Sequence, residues 1–481
     1  MAATETTEDH RYEAVAHFVA GLIDQGTLQP GAKAPSLRSI SQTHKVSVTT
    51  AMAAYRLLES RGVIEARPQS GFYVRARHAN RLKPPAISKP ASKAVSVTVA
   101  DEVAHMLRYG ADTDYVPLGC AVPAPELLAS SKLDRFLARA ARAKGVQANT
   151  YARADGEVSL RQVIAERAIR YRHSVNAEDL VITNGCTEAL HLALRAVTKP
   201  GDTVAIESPA YFGFFQVLRS LSLKALELPT DSTEGVAPEP LTKALKTNKV
   251  AACVLSSSFN NPLGVRSTDE RKQELLKILN KHKVVLIEDD IYGDIFFNGE
   301  RPAPFSALDN AENVIYCSSF SKTVAPGYRI GWVSSARYKE QILKHKFGTT
   351  LCGPTLPQLA MADYLQSGAY DHHLRRIRSA LAENVSRMSQ AIQDNFPSDT
   401  RVSRPDGGFV LWVELDKRVS AKKLFELGLQ NNICIAPGNT FTAGSRYDNF
   451  IRISCGYPWS REMERSVWKL GELVTQLLKS S

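Results

Sequence analysis

The spacing of apolar and polar residues predicts two parts of the chain with different kinds of element. Near the N-terminus, apolar residues recur at helical spacing and predict a helix over 12–23. Beyond about residue 111, short β-branched runs alternate with longer amphipathic stretches, and the clearest runs are 180–183, 203–206, 251–255, 284–287 and 314–316. This alternation is typical of an α/β domain with a mostly parallel sheet.

Two further helices are predicted after the first one. Ser36 is a candidate N-cap for a helix over 37–43. Ser47 is a candidate N-cap for a helix over 48–61, which ends at Gly62. Because the connection between these two helices is so short, they are predicted to form a helix-turn-helix.

A hairpin is predicted directly after the helix-turn-helix. The strand-like runs 63–66 and 71–74 flank the turn Pro-Gln-Ser-Gly. Such a hairpin would be the wing of a winged helix-turn-helix domain.

Basic charge is concentrated in this N-terminal part. The chain has 60 Lys and Arg residues against 49 Asp and Glu residues, a formal net charge of +11. The stretch 33–93 holds twelve of the basic residues and two acidic ones, Glu59 and Glu65. This asymmetry is consistent with a polyanionic partner, nucleic acid first and a membrane surface second, and about equally with a basic surface that only aids solubility.

Composition excludes several classes of protein. With 481 residues, 44% apolar and 23% charged, the sequence predicts two to four globular domains and excludes disorder and small disulfide scaffolds. No apolar run approaches the ~18 residues of a membrane-spanning helix, and no secretory signal is recognisable. Seven Cys without a CxxC pair predict reduced thiols in a cytoplasmic protein. The His residues show no metal-ligand spacing, so no metal site is predicted.

A Pro-, Ser- and Ala-rich stretch near 83–100 has the composition of a semi-extended linker. We therefore predict a DNA-binding domain over 1–78, a linker over 79–110, and a third region over 111–481 with large and small subdomains.

The sequence LQPGAKAPSLRSISQTHKVSVTTAMAAYRLLESRGVIEARPQSGFYV resembles the GntR-type winged helix-turn-helix over its full length. The alternative is a helical bundle that binds no DNA. The resemblance implies duplex DNA as a partner and a set of contact residues in two groups. These are Arg38, Ser47, Thr49 and Thr50 around the recognition helix, and Gln69, Ser70 and Gly71 at the tip of the wing. The family often carries Arg at the position of Val48, so here a base contact is either missing or replaced by an apolar contact with a thymine methyl group.

The segment SSFSKTVAPGYRIGW directs attention to Lys322. This lysine follows a predicted strand, lies beside Ser hydroxyls and precedes Arg329 by seven residues, an arrangement that suits an amine next to a phosphate. A lone lysine is more often a solvated surface charge, so the assignment depends on the segments that accompany it.

The accompanying segments are TNGCTE (183–188), ESPAY (207–211), SFNNPLG (258–264) and IEDDIY (287–292). Together with them, residues from about 112 to about 478 resemble the fold-type I pyridoxal-phosphate aminotransferases. The resemblance implies that Lys322 is the catalytic lysine, which holds pyridoxal 5'-phosphate as an internal aldimine, and that Asp289 keeps the pyridine nitrogen protonated. It further implies that Asn261 and Tyr292 bond the ring oxygen and that Tyr211 stacks on the ring.

The same resemblance implies a phosphate site, a carboxylate site and a shared subunit interface. The phosphate site would consist of Gly185, Cys186 and Thr187 at a helix start, with Ser319 and Arg329. Arg452 matches the arginine that binds the substrate carboxylate. Tyr151 matches a residue that binds the cofactor phosphate of the neighbouring subunit. This match implies a homodimer with shared sites.

A GntR-type head, a linker and an aminotransferase-like region in this order resemble the MocR subfamily of transcriptional regulators. The implied fold is a winged helix-turn-helix joined to a fold-type I α/β domain. The implied function is a pyridoxal-phosphate-dependent, DNA-binding regulator that senses an amine, an amino acid or the cofactor itself. The alternatives are a working aminotransferase with an appended DNA-binding domain and a cofactor-binding scaffold without chemistry.

Overall fold

Residues up to 81 and residues from 82 onward form separate units in the computed structural model of the chain. The structure describes residues 5–24, 27–29, 31–60, 63–67, 70–74, 82–87, 89–97, 101–110, 112–256, 258–308 and 313–480. The two units are described one after the other.

The first unit has three helices and a two-stranded antiparallel sheet. Its elements are α1 (Glu5–Asp24), α2 (Leu37–His44), α3 (Val48–Ser60), β1 (Ile64–Arg67) and β2 (Gly71–Val74). The predicted helix-turn-helix and wing hairpin are confirmed, and the first helix begins earlier than predicted. The predicted helix end at Gly62 lies outside the described residues.

Local hydrogen bonds explain where the two helices of the helix-turn-helix begin. The Ser36 hydroxyl accepts the Ser39 backbone N–H at 3.1 Å, so its predicted role as an N-cap is confirmed. The Ser47 hydroxyl accepts the Thr50 backbone N–H at 3.0 Å in the same way. Between the helices, Lys45 takes a left-handed conformation (φ 51°) that ends α2.

An apolar core holds the first unit together. Its buried members come from α1, α2, α3 and β1 and include Val15, Val19, Ile40, Tyr55 and Leu58. The Tyr55 hydroxyl donates to the Pro35 carbonyl at 2.7 Å, which fixes α3 against the start of α2.

The second unit is built on one large sheet and one small sheet. The strands are β3 (Val95–Ser96), β4 (Leu180–Asn184), β5 (Thr203–Ser208), β6 (Lys224–Asp231), β7 (Gly235–Val236), β8 (Val250–Leu255), β9 (Val285–Asp289), β10 (Val314–Ser319), β11 (Ile330–Ser334), β12 (Arg401–Val402), β13 (Val410–Glu414), β14 (Ala436–Pro437) and β15 (Phe450–Ser454). The five strands predicted from β-branched runs are confirmed, with ends shifted by up to three residues.

Helices cover the large sheet and support the small one. They are α4 (Asp101–Tyr109), α5 (Ser130–Lys144), α6 (Val158–Ala168), α7 (Cys186–Val197), α8 (Phe212–Ser220), α9 (Pro238–Thr247), α10 (Asp269–Lys281), α11 (Lys339–Phe347), α12 (Thr355–Gln366), α13 (Ala369–Asn395), α14 (Ala421–Leu429) and α15 (Arg461–Lys479).

The large sheet has the strand order β3-β6-β5-β8-β9-β10-β11-β4, with β7 paired to β6. Strands β6, β5, β8, β9 and β10 are parallel, while β11 runs antiparallel to both of its neighbours. The predicted α/β class with a mostly parallel sheet is therefore confirmed. The carboxyl ends of parallel strands lie at one edge, where open α/β sheets bind ligands.

The small sheet has the order β12-β13-β15-β14 and is antiparallel throughout. Its inner side shares an apolar core with α13, α14 and α15, in which Trp412, Leu424 and Leu470 are buried. This sheet carries β15, and with it Arg452.

Part of the predicted linker contains regular structure. Val95–Ser96 pairs with β6, and α4 spans Asp101–Tyr109. The Val402 N–H donates to the Lys83 carbonyl at 2.9 Å, so the segment after 82 also contacts the small sheet. A Pro- and Ser-rich composition predicts extended backbone, but it does not indicate that the backbone hydrogen-bonds to a distant strand. The domain limits 1–78 and 111–481 stay a prediction.

Among the described residues, no helix combines the length and the apolar character needed to cross a membrane.

Candidate cofactor and DNA-binding sites

A cavity of about 260 Å³ lies in the second unit, where β9 and β10 end and α7 begins. Its lining comes from distant parts of the chain: Met106, Leu107, Gly119, Cys120, Ala121, Val122, Cys186, Thr187, Leu190, Tyr211, Phe212, Ser256, Asn261, Asp289, Ile291, Tyr292, Ser321, Lys322, Pro326, Arg329 and Arg452. Lys322 and eight other residues that the sequence assigned to the cofactor or its ligand therefore line the same cavity.

Lys322 reaches the cavity three residues after the end of β10. Its Nζ atom donates to the carbonyl oxygen of Ala121 at 2.6 Å. Loss of water around this ammonium group and, after it, the nearby Arg452 guanidinium lower the pKa of Lys322 to about 8. An appreciable fraction of the amine is therefore neutral near physiological pH, as a nucleophilic lysine requires.

Asp289 is the last residue of β9, and its carboxylate is buried. Burial raises the pKa of Asp289 to about 7, while a hydrogen bond of 3.3 Å from Cys186 Sγ to Oδ1 opposes this shift. The charged form of a buried carboxylate is strongly stabilised when a cation lies beside it.

The acidic neighbours of Asp289 bind to other parts of the unit. Glu288 accepts the Phe305 backbone N–H at 2.8 Å. Asp290 accepts hydrogen bonds from Arg301 at 2.7 Å and from the Tyr316 hydroxyl at 2.9 Å. Asp289 is therefore the acidic residue of this run that lines the cavity.

Polar and aromatic side chains surround the space above Asp289. Asn261 Oδ1 is buried without a hydrogen-bond partner among the described residues. Burial raises the pKa of Tyr211 to about 12 and raises the pKa of Tyr292 as well, so both hydroxyls stay protonated as donors. The site thus offers the unpaired Oδ1 atom of an amide and two phenolic hydroxyls.

The start of α7 provides an anion site. Gly185 precedes the helix with φ 82°, and the first backbone N–H groups of an α-helix have no partner within it. Arg329 donates from Nη2 to the Asn184 carbonyl at 2.8 Å, which brings its guanidinium to the same helix start. The positive φ of Gly185 strains any other residue, and a Cβ there would also displace that guanidinium, so glycine suits this position.

Arg452 lies on β15 and is 1% exposed. Its Nη2 atom donates to the carbonyl oxygen of Gly119. Its Nε and Nη1 atoms are buried and lack a hydrogen-bond partner among the described residues. Burial lowers the pKa of this guanidinium, which is therefore under-compensated and suited to a carboxylate.

Together these groups fit pyridoxal phosphate and an amino-acid ligand. Asp289 suits a protonated ring nitrogen, and the start of α7 with Arg329 suits a phosphate. Asn261 Oδ1 and the free atoms of Arg452 are buried polar atoms that still need partners, which a bound cofactor and its ligand would supply.

The first unit presents hydroxyl groups at the start of α3. The Ser47 hydroxyl lies 2.6 Å from Thr49 Oγ1 and 2.7 Å from Thr50 Oγ1. Val48, between them, is 49% exposed. An exposed helix start with hydroxyl side chains is suited to phosphate contacts, and an exposed apolar side chain there is suited to a thymine methyl group.

Comparison with known proteins supplies the family. Residues 124–467 match the family Aminotransferase class I and II, and residues 11–74 match the family Bacterial regulatory proteins, gntR family. A relative from Escherichia coli, named as the uncharacterized HTH-type transcriptional regulator YdcR, is 37% identical over 97% of this chain and 100% of its own. The chain belongs to the MocR subfamily of GntR-type transcriptional regulators.

Other relatives agree with this assignment. The uncharacterized HTH-type transcriptional regulator YjiR of Escherichia coli is 36% identical to this MocR-type chain, over 98% of this chain and 100% of its own. The crystal structure of LysN, an alpha-aminoadipate aminotransferase from Thermus thermophilus, is 29% identical with a TM-score of 0.74. That match covers 79% of this chain and 96% of LysN, whose structure contains a phosphopyridoxyl adduct of leucine. The predicted family and fold class are confirmed, and pyridoxal 5'-phosphate is the cofactor of the MocR-type chain.

Two residues predicted for the cofactor sites of this MocR-type chain lie away from the cavity of their own chain, and for Tyr151, which was predicted to reach the neighbouring subunit's site, the prediction implies this position. Ser319, the last residue of β10, lines a neighbouring cavity, and its hydroxyl accepts the Ser321 N–H at 3.3 Å. Ser321 and Ser256 line the cofactor cavity instead. Tyr151 is 85% exposed and does not line the cavity of its own chain.

The predicted DNA-contacting residues of the MocR-type chain lie on two features of the first unit. Arg38, Ser47 and Thr49 are exposed at α2 and at the start of α3, and Thr50 is half-buried beside them. Ser70 and Gly71 lie at the wing turn, where the Ser70 hydroxyl is 2.6 Å from the Tyr73 hydroxyl. Gln69 lies outside the described residues.

Sequence reasoning missed a group of residues in each unit. In the wing, the Arg67 guanidinium lies 4.3 Å from the centre of the Tyr73 ring, and the Lys33 ammonium lies 6.0 Å from it. In the cofactor cavity, residues 119–121 and the α4 residues Met106 and Leu107 were not expected. No local motif marks these residues, because their role depends on contacts with distant strands.

Proposed function

We propose that this chain is a ligand-responsive transcription factor. Its first unit binds operator DNA, and its second unit holds pyridoxal phosphate on Lys322 and binds a primary amine that carries a carboxylate. The observation that carries the proposal is that Lys322 and Arg452 meet in one cavity and donate to carbonyls of the same short segment, Ala121 and Gly119. Free cysteines throughout the second unit favour a cytoplasmic protein.

The bound cofactor supplies an aldehyde that condenses reversibly with primary amines. The protein binds and orients it. Asp289 holds the proton at the ring nitrogen, and Tyr292 with Asn261 bonds the ring oxygen. The N–H groups at the start of α7 and Arg329 hold the phosphate. Arg452 binds the carboxylate of the ligand. A two-point contact requires Nη2 together with Nε or Nη1, and Nη2 now donates to the Gly119 carbonyl.

Ligand binding changes the hydrogen bonds, and with them the conformation, of the segment 118–122. The carboxylate of the ligand competes with Gly119 for Arg452, and cofactor loading competes with Ala121 for Lys322. The ends of this segment are joined to the small sheet, since Ser454 N–H donates to Leu118 at 2.8 Å and Ala124 N–H donates to Gly456 at 2.9 Å. The segment can be bonded to Lys322 and Arg452 or released from them. A ligand that binds these two arrangements with different affinity shifts their populations.

We further propose a two-fold homodimer with shared cofactor sites. The exposure of Tyr151 supports this, because a side chain that completes the neighbouring subunit's site must project from its own subunit. A dimer would place two winged helix-turn-helix units on paired half-sites and raise the affinity for DNA through bivalency.

The test uses the purified full-length chain. Addition of pyridoxal phosphate should give a visible absorption band in the wild type and none in Lys322→Ala. Binding to labelled operator DNA, measured by fluorescence anisotropy, should change when an amino acid is added to the loaded wild type and stay constant in the loaded Arg452→Gln variant. An absorption band that persists in Lys322→Ala, or an absence of DNA binding, would contradict the proposal.

A working aminotransferase is the second candidate. The observation that favours it is that Lys322, Asp289, Asn261, Tyr292, Arg329 and Arg452 all line the same cavity. Steady-state transamination by the full chain separates the two functions. Turnover near ~10 per second, which is typical of dedicated enzymes, would make catalysis the main function, whereas turnover slower by orders of magnitude supports a regulator.

A further inference from the structure

The chain enters the second unit through the small sheet. We call residues 82–86, which directly follow the first unit, the entry segment. The Lys83 carbonyl accepts the Val402 N–H at 2.9 Å, and the Ala86 N–H donates to Glu414 Oε2 at 2.8 Å. Val402 lies on β12 and Glu414 ends β13, so both bonds attach the entry segment to the small sheet.

A side-chain bond and apolar contacts hold the same segment. Arg404, two residues after β12, donates to the Leu82 carbonyl. Leu82 packs against the apolar core that the small sheet shares with its helices. Pro85 is buried, although the residues on either side of it are exposed. The entry segment is therefore attached to the small sheet along its whole length.

The chain reaches the large sheet only later. Asn248 Nδ2 donates to the Ser92 carbonyl at 3.2 Å, Val95–Ser96 pairs with β6, and Val97 is buried in an apolar core of the large sheet. The attachment nearest to the first unit is thus the one on the small sheet. A displacement of the small sheet relative to the large one moves the point at which the DNA-binding unit is attached.

The cofactor site is divided between the same two sheets. Lys322 follows β10 and Asp289 ends β9, so these cofactor-binding residues belong to the large sheet. Arg452 lies on β15 of the small sheet, directly opposite Trp412 of β13. Two residues after Trp412, β13 ends at Glu414, where the entry segment is bonded. This division between the sheets holds whatever a neighbouring subunit adds to the site.

We infer that the small sheet transmits ligand binding to the DNA-binding unit through the entry segment. A ligand that joins the cofactor to Arg452 fixes the small sheet relative to the large one, and the entry segment moves with the small sheet. In the proposed homodimer, this changes the positions from which two DNA-binding units reach their half-sites. Operator affinity changes because the two arrangements of the sheets bind DNA differently. The inference rests on the proposed function and adds the route of its regulation.

The test uses two probes with the full-length, cofactor-free chain. N-(5'-phosphopyridoxyl)-glycine contains the ring, the phosphate and a carboxylate but no amino-acid side chain, whereas pyridoxamine 5'-phosphate lacks the carboxylate. In the wild type, the glycine adduct should change the dissociation constant for operator DNA, measured by fluorescence anisotropy, by about fivefold or more. Operator DNA should change the affinity for the adduct by the same factor. Pyridoxamine 5'-phosphate should have a smaller effect, because it leaves Arg452 without a carboxylate.

Flexible insertions on the two sides of the entry segment test the route. Gly-Ser-Gly-Ser-Gly-Ser inserted between Arg81 and Leu82 should reduce the adduct's effect on operator affinity to less than about twofold, because a flexible linker frees the DNA-binding unit from the small sheet. The same insertion after Lys89, an exposed residue between the two attachments, is the matched control and should keep the full effect. Both variants should bind the adduct as the wild type does. An effect that survives the first insertion, or that is lost with the second, would overturn the inference.

Removal of the side-chain anchors gives a second measurement. Neither Arg404 nor Glu414 lines the cofactor cavity. Arg404→Ala combined with Glu414→Ala should therefore reduce the adduct's effect on operator affinity and leave the affinity for the adduct alone unchanged. Glu383→Ala combined with Arg387→Ala removes the same charges from an exposed pair on α13 and should keep the full effect. Equal effects in the two double variants would contradict the inference.

The wild type separates failure of the two proposals. If the glycine adduct does not bind, or binds without changing operator affinity, the proposed function fails and the route falls with it. If the wild type responds and the variants do not differ as expected, the route alone is wrong.

Discussion

Lys322 Nζ donates a hydrogen bond of 2.6 Å to the carbonyl oxygen of Ala121, a residue 201 positions earlier in the chain. Two residues before Ala121, the Gly119 carbonyl accepts from Arg452. The two cations that define the cofactor and carboxylate sites are thus held by one short segment. Because each carbonyl occupies a donor that the cofactor or ligand needs, binding must rearrange this segment.

The lowered pKa of Lys322 predicts how cofactor loading depends on pH. Only the neutral amine attacks an aldehyde. With a pKa of about 8, the loading rate should rise about tenfold for each pH unit below 8 and level off above it. Stopped-flow absorbance after mixing with pyridoxal phosphate measures this rate, and Lys322→Ala is the control without loading. A rate that keeps rising beyond about pH 10 would indicate an ordinary, solvated lysine.

Arg452→Gln should weaken ligand binding and leave cofactor loading intact. Loss of a buried guanidinium that binds a carboxylate costs about 2–5 kcal/mol, so the affinity for norleucine should fall at least about thirtyfold. Pentylamine, which lacks the carboxylate, should bind both forms with similar affinity. Calorimetric titration measures both constants. If pentylamine loses as much affinity as norleucine, Arg452 acts on the fold and not on the carboxylate.

Asp289→Asn should stabilise the cofactor-free chain at pH 8 and weaken the cofactor-bound one. Burial raises the pKa of Asp289 to about 7, above the ~3.9 of an unfolded chain. The folded state therefore binds the extra proton, and the stability contributed by Asp289 is lost as pH rises from about 4 through about 7.

Asparagine carries no such charge, so at pH 8 the cofactor-free variant should be more stable by on the order of 2 kcal/mol, with a smaller gain at pH 5. Melting temperatures at the two pH values measure this difference. Equilibrium dialysis should show weaker cofactor binding by the variant, because the ring nitrogen loses its counterion. A variant that is less stable at pH 8 and binds the cofactor normally would contradict the assignment.

The sequence was sufficient to predict the positions of residues whose geometry is set by a local motif. Asp289 and Lys322 follow β-branched runs, and the carboxyl ends of parallel strands meet at one edge of the sheet. Ser36 and Ser47 have the spacing of N-caps, whose hydrogen bonds are local. In such cases a short stretch of chain determines the geometry.

Residues that depend on long-range contacts were not predictable. Met106 and Leu107 lie within the predicted linker 79–110, yet α4 reaches the cavity through contacts with the segment 119–122. Ser319 and Ser321 are equivalent in the motif SSFSK, and only the path of the chain after β10 decides which of them lines the cavity.

Glu227→Ala should destabilise the second unit. Glu227, on β6 of the large sheet, is buried and accepts hydrogen bonds from Ser208 at 2.9 Å, from Thr442 at 2.9 Å and from Arg446. Removing one partner of a buried ion pair costs about 3 kcal/mol, at the lower end of the usual range because Arg446 keeps some contact with water. The urea midpoint measures the change.

Arg387→Ala is the matched control for this variant. Arg387 pairs with Glu383 one helical turn away at 2.6 Å, and both side chains are exposed. Such a pair contributes no more than about 0.5 kcal/mol, so the midpoint should stay nearly constant. Equal effects of the two substitutions would show that the Glu227 network does not stabilise the second unit.

Arg38→Ala should weaken operator binding and flatten its dependence on salt. Arg38 is exposed on α2, the helix that precedes the hydroxyl cluster at the start of α3. Each phosphate contact of a basic residue contributes a slope of ~0.9 in a plot of log affinity against log salt concentration. The variant's slope should therefore be smaller by that amount, as measured by anisotropy at several salt concentrations. Arg387→Ala removes the same charge from the second unit and should leave the slope unchanged. An unaltered slope in Arg38→Ala would remove this residue from the DNA interface.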